Sequence, residues 1–212
     1  MRLAAVHAIF RRLMFGNSVK SAMTSMGGVG STALARHIGS ISDKTVREHA
    51  WSPEVYDDER NIRLGYMYGT PYNAVLSIFR RSYQQMHTKA MHAGAGTQPA
   101  DLRGVTLEQY LENGKDEFFI ERQFENWVNR PNPKHPIILI KYDDLASNID
   151  QVLSFFGVKD PFIVKQRNSA FQDQPEHIRK GLEKIYGDLN EKIIAMPGVK
   201  IITTNNQPLR TN

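Results

Sequence analysis

Residues 19–38 read VKSAMTSMGGVGSTALARHI. Val19 to Met26 reads as a strand and Ser31 to Ile38 as the helix after it. Ser25-Met26-Gly27-Gly28-Val29-Gly30-Ser31-Thr32 is then a glycine-rich loop joining the two. Glycine lets the backbone turn tightly and come close to a ligand, and N–H groups exposed at a helix start attract an anion. Gly27, Gly28, Val29, Gly30, Ser31 and Thr32 are therefore the candidate phosphate-binding residues, with the Ser31 and Thr32 hydroxyls as further donors. Against the triphosphate-binding pattern G-x-x-x-x-G-K-[ST], Ser25 stands at the first glycine, Gly30 at the second and Ser31 where lysine is expected. That motif is broken at its most charged position. A glycine turn used only for strand–helix packing is the plainer alternative.

Outward from this stretch, strands and helices alternate. Asp43 to His49, Asn61 to Tyr68 and the apolar run Ile137 to Tyr142 read as strands, the last of the kind buried in a parallel sheet. Helices are expected over Tyr72 to Met86, over Leu107 to Asn129 in two pieces broken near Asn113-Gly114, and over Asp144 to Phe156. Pro175 to Met196 is a long amphipathic helix with Ile178, Leu182, Ile185, Leu189 and Ile193 on one face, and Val199 to Thr203 a last strand. Residues 87–104, rich in Gly, Ala and polar side chains, read as a flexible loop or lid, and 204–212 as a frayed tail. The pattern predicts one α/β domain over residues 1–212: helices on both faces of a mostly parallel sheet of about 4–5 strands, an α/β/α arrangement. No internal repeat is visible.

Composition fits this and excludes several classes. The chain has 212 residues, 41% hydrophobic and 23% charged, near the average for a globular domain. Cysteine is absent, so disulfides, thiolate metal sites and a cysteine nucleophile are out, and a reducing, cytoplasmic location is expected. The net charge of +5 suits an anionic ligand, but no dense Lys/Arg stripe marks a nucleic-acid binder. No stretch reaches the roughly 18–20 apolar residues of a membrane span. The apolar run Leu3 to Phe10 is short for a signal peptide and lacks a small-residue cleavage site, so Met1 to Leu13 reads as an amphipathic helix packed on the domain.

In an open parallel sheet, ligands bind beyond the carboxyl ends of the strands. The first strand ends in the glycine loop, the second at His49, and the third at Gly69-Thr70-Pro71, which opens a helix carrying Ser77. His49 is a candidate general base near neutral pH, and Arg80 and Arg81 are candidate phosphate partners. A polar strand end and a solvated helix face are the alternatives for these residues.

Together these segments resemble a family, the P-loop sulfotransferases that use 3′-phosphoadenosine 5′-phosphosulfate (PAPS). Four segments, in order across roughly residues 18–200, carry the likeness. Gly28-Val29-Gly30-Ser31-Thr32 resembles the family's 5′-phosphosulfate loop, and Lys44 to His49 the strand leading to its catalytic histidine. Gly69-Thr70-Pro71-Tyr72-Asn73 with Ser77 is similar to the 3′-phosphate segment. Ile138 to Leu145 with Val152 to Val158 is similar to the strand ending in Tyr-Glu-Asp-Leu and the helix and glycine turn after it. The resemblance implies transfer of a sulfuryl group from PAPS to a hydroxyl or amine acceptor, a small molecule or a glycan, with 3′,5′-ADP released. It implies His49 as the base, the loop around the 5′-phosphosulfate and Ser77 with Arg80 or Arg81 on the 3′-phosphate, with no metal required.

Two positions depart from the family pattern. Gly28 stands where a basic residue would bridge sulfuryl group and leaving phosphate, and Gly69 where an arginine would clamp the 3′-phosphate; Asn73 replaces an aspartate. Lys20, Arg36, Arg80 and Arg81 are the cations expected to replace the lost charges. Two other functions stay open: a nucleotide kinase or triphosphatase using Asp143 or Asp144 for magnesium, and a non-catalytic nucleotide-binding protein.

Overall fold

The computed structural model describes residues 21–41, 45–130, 133–165 and 170–203. The expected helix over Met1 to Leu13, Lys20 and the tail 204–212 lie outside the described residues. One sheet is built from β1 (Ser21–Ser25), β2 (Thr45–Glu48), β3 (Arg63–Tyr68), β4 (Ile137–Lys141) and β5 (Val199–Ile202). The order is β2-β1-β3-β4-β5. The first four strands pair in parallel, and β5 runs antiparallel along the β4 edge. The α/β class and the open, mostly parallel sheet agree with the sequence. Every residue of β1, and Ile137 to Ile140 of β4, is buried whichever way it points. An apolar run without alternation forms such a strand because both faces of the sheet are covered.

The connections place the site. From β1 the chain passes through α1 (Ser31–Ile41) to β2 at the sheet edge, then returns to lay β3 against the other side of β1. The strand order therefore reverses between β1 and β3, and the crevice at their carboxyl ends is the switch point where open α/β sheets take ligands. Between β3 and β4 lie α2 (Pro71–Arg80), α3 (Gln84–Ala95), α4 (Leu107–Asn113) and α5 (Ile120–Val128); α6 (Leu145–Phe156) and α7 (Glu176–Ala195) follow β4. Proline at the first position of α2 fits there because that N–H has no partner within a helix.

Two expectations change. The helix expected over Tyr72 to Met86 is two helices, and the irregular stretch expected from His87 is helical through Ala95. The break is a helix stop: Ser82 adopts φ 54°, its N–H donates to Phe79 O at 2.9 Å, and the Tyr83 N–H donates to Ile78 O at 3.0 Å. Glycine usually fills such a left-handed position, so a serine there leaves no mark in the sequence. The inward face of α3 is His87, Thr88, Met91 and His92, too polar to show an apolar period. In α7 the buried stripe runs Ile178, Leu182, Tyr186, Leu189, Ile193, with Tyr186 rather than Ile185 at its centre. The Tyr186 hydroxyl donates to Asp116 Oδ1 at 2.8 Å and lies 2.5 Å from the Tyr110 hydroxyl, which explains a polar tip in the core.

Two helical glycines separate propensity from packing. Gly187 in α7 has open space where a Cβ would stand, so Gly187→Ala should stabilise the fold by about 0.4–1 kcal/mol. At Gly94 in α3 a Cβ would lie 2.4 Å from Trp51 Cβ. Gly94→Ala should therefore be destabilising, because overpacking costs about 1–3 kcal/mol against about 1 kcal/mol gained in helix propensity. Urea unfolding of both variants checks the opposite signs.

Candidate functional site

The glycine loop follows β1 at the switch point. Gly27, Gly28 and Gly30 have φ of +95°, +68° and +74°, a region L side chains avoid. The Met26 N–H donates to Met67 O at 3.2 Å and extends the β1–β3 ladder, but residues 27–30 make no backbone–backbone hydrogen bond to a described residue. Their amides stand just ahead of the α1 N-terminus, where backbone N–H groups favour an anion. Ser31 does less than its residue type promised: its buried hydroxyl donates to Ser25 Oγ at 2.9 Å and ties the neck of the loop. Thr32 is half-buried at the second position of α1.

The loop is pressed between neighbours. A Cβ on Gly28 would lie 2.8 Å from Ser77 Cβ and 2.9 Å from Ala74 Cα, so no side chain fits there unless α2 moves. A Cβ on Gly30 would lie 3.1 Å from the Tyr142 ring, and one on Gly69 3.2 Å from Val29 Cγ1. Gly28 and Gly69 are thus points of close packing.

Beside Gly28 and Val29 opens a cavity of about 780 Å³. Asn73, Ser77 and Arg80 line it from α2. Their spacing of four and three residues puts them on one face of that helix. Ser77 is 5% exposed, and its Oγ has no hydrogen-bond partner among the described residues. Leaving such a hydroxyl buried and unpaired costs about 1–3 kcal/mol, which a ligand oxygen would recover. Arg80, Arg81 and Arg36 are all exposed, and of the three Arg80 lines the cavity. Asp143 and Glu183 also line it, so the cavity carries charges of both signs. Asn73 Oδ1 accepts the Phe171 N–H at 3.1 Å, and Phe171 stacks on Tyr72 with ring centroids 4.3 Å apart. Asn73 thereby holds residues 170–174 over the cavity. Phe171 comes from a stretch with no periodic pattern, and nothing local in the sequence marks it.

The histidines stand on the other flank of the loop. His49 Nδ1 lies 3.0 Å from Ser25 O. A carbonyl only accepts, so Nδ1 carries the proton and Nε2 is the basic nitrogen. His49 is not among the residues lining the cavity; it meets the loop at Ser25, two residues before Gly27. Beside it is His87, which no apolar period marks in the sequence because the buried face of α3 is polar. Their ring centroids are 5.8 Å apart at 62°, and a Cβ on Gly27 would lie 3.6 Å from His87 Cε1. Burial, and then the neighbouring His49, push the His87 imidazole down to about 3. Among the described residues no group of His, Cys, Asp or Glu is placed to hold a metal ion. Asp144 is paired with Lys141 at 3.0 Å.

Two outcomes follow. Gly28→Ala should destabilise the fold by about 1–3 kcal/mol through backbone strain and contact with α2, measured by chemical denaturation. His87 should make the fold acid-sensitive. Its folded value lies below the ordinary 6.5, so the unfolded chain takes up a proton that the folded chain refuses, and stability falls as pH drops from about 6.5 toward 3. His87→Phe should flatten the stability–pH curve over that window, read from unfolding midpoints at successive pH values.

No helix among the described residues is long and apolar enough to cross a membrane. In comparisons with protein-family models, curated proteins and solved structures, nothing matches this chain.

Proposed function

We propose that this chain is a P-loop-type protein that binds PAPS and transfers its sulfuryl group to a hydroxyl or amine acceptor, leaving 3′,5′-ADP. The observation that carries this reading is the meeting, at one switch point, of loop amides and a Ser77 hydroxyl that have no hydrogen-bond partner among the described residues, together with Arg80. Amides, a hydroxyl and a guanidinium form a donor set suited to phosphate oxygens. In this reading the amides of residues 27–30 and the α1 N-terminus hold the 5′-phosphate end, and Ser77 and Arg80 the 3′-phosphate.

PAPS supplies an electrophilic sulfur with a phosphate leaving group. The loop amides stabilise the charge that grows on the oxygen between sulfur and phosphorus. His49, with Nδ1–H on the Ser25 carbonyl, takes the acceptor's proton at Nε2. Position 28 itself carries no cation, since α2 leaves no room for a side chain there, and in this reading the backbone donors act at the sulfuryl end. Slow turnover is the expected consequence. The same observation favours a second reading, a protein that binds the nucleotide without transfer.

Isothermal titration with 3′,5′-ADP and turnover of labelled PAPS over a panel of acceptors test both. Micromolar binding is expected. Arg80→Ala and Ser77→Ala should each weaken it, the arginine by about 1.5–3 kcal/mol as for a charge-assisted contact, with Arg81→Ala near neutral. His49→Ala should retain binding and lose turnover. No binding of 3′,5′-ADP at millimolar concentration ends the PAPS reading, and binding without turnover in the parent protein selects the second.

A further inference from the structure

Three rings and one turn meet behind the glycine loop. His87 comes from α3 and is 6% exposed. Its ring stands edge-on to His49 at 5.8 Å and edge-on to Phe118 at 5.7 Å, with Gly27 above it. His49 grips the Ser25 carbonyl, so the two imidazoles brace the start of the loop at Ser25 and Gly27. Among the described residues Gly27 lies in contact range of the His87 ring alone, and its φ of +95° is one that L side chains rarely adopt.

We propose that His87 is a positioning residue for the His49 base: its ring keeps His49 seated on the Ser25 carbonyl and so decides which nitrogen of His49 is basic. Hydrogen bonding at Nε2 is not how it acts, because that atom has no partner among the described residues; packing is. Nor does His87 relay protons, since burial keeps it neutral wherever His49 works as a base. Its surroundings agree. The glycine loop offers it Gly27, the 118–119 turn offers Phe118 and its carbonyl, and the titrating neighbour that acts on it is His49. If the His49 ring turned over about its Cβ–Cγ bond, Nδ1 would leave the Ser25 carbonyl and the proton could sit on either nitrogen. The His87 ring, edge-on with its centroid 5.8 Å away, packs against His49 on that flank and opposes this rotation. The inference rests on the sulfuryl-transfer reading for its chemistry, but the arrangement itself can be read without turnover.

The test uses the full chain with ¹⁵N-labelled histidine, and the variants His87→Ala and His87→Phe. Imidazole ¹⁵N shifts report the tautomer, and steady-state kinetics with PAPS report kcat and KM separately. In the parent, His49 should show one tautomer, protonated at Nδ1. In His87→Ala it should become a mixture, with kcat at least tenfold lower and the KM for PAPS within twofold. His87→Phe restores a ring of similar girth, so it should recover the single tautomer and a kcat within about threefold of the parent. If His87→Ala is not folded by circular dichroism, His87→Val takes its place with the same expectations. A single Nδ1–H tautomer and parental kcat in the small-residue variant overturn the proposal, as does a folded His87→Phe that rescues neither. If the parent turns over no PAPS while the tautomer shifts as described, the positioning role stands and the sulfuryl-transfer reading falls.

Discussion

The approach of the glycine loop to α2 is the constraint on which the rest of the site depends. Gly28 lies so near Ala74 and Ser77 that a single added carbon would come within 3 Å of both. Only a residue with no side chain, in a left-handed conformation, lets β1 and β3 deliver their following segments into contact there. That contact fixes the distance between loop amides and the Ser77 hydroxyl, and it opens the cavity beside them rather than beneath them. It also decides the charge of the site. A long cation at Gly28 and the close approach of α2 exclude each other, and this chain has the close approach. Among the described residues that line the cavity, Arg80 is the one basic side chain, beside the loop's backbone dipoles.

Much of the fold could be read from the residues, and the reasons are physical. Ile137 to Ile140 can only be a strand covered on both sides, and the Gly-Gly-Val-Gly turn after β1 admits few conformations. Periodicity served where a helix buries an aliphatic stripe, as α7 does. It failed where the buried face is polar, as with His87, Thr88 and His92 on α3, and where a serine takes the left-handed stop that glycine usually marks.

The site was legible to the extent that it follows from strand ends. The glycine loop, His49 and the α2 segment come together because β1, β2 and β3 are adjacent and parallel. Helix phase separated Arg80 from Arg81, but only once α2 was seen to begin at Pro71 with Asn73 and Ser77 turned to the cavity. Contacts between segments distant in the chain could not be read. Phe171 over Tyr72 and His87 beneath Gly27 depend on how the later helices settle, which no local pattern encodes.

The pairing of β3 with β4 across four intervening helices bears on when the cavity exists at all. Such a ladder joins residues far apart in the chain, so its loop-closure entropy must be met before the hydrogen bonds form, and assembly is slow and concerted. The loop, α2, Tyr142 and Phe171 come from four separate stretches, and they surround one space only after that ladder is complete. Without that ladder Tyr142 is not held against Gly30, and the pocket lacks that wall. A molecule that fits it binds the finished fold alone, and so would draw the whole folding equilibrium toward the native state in proportion to its concentration.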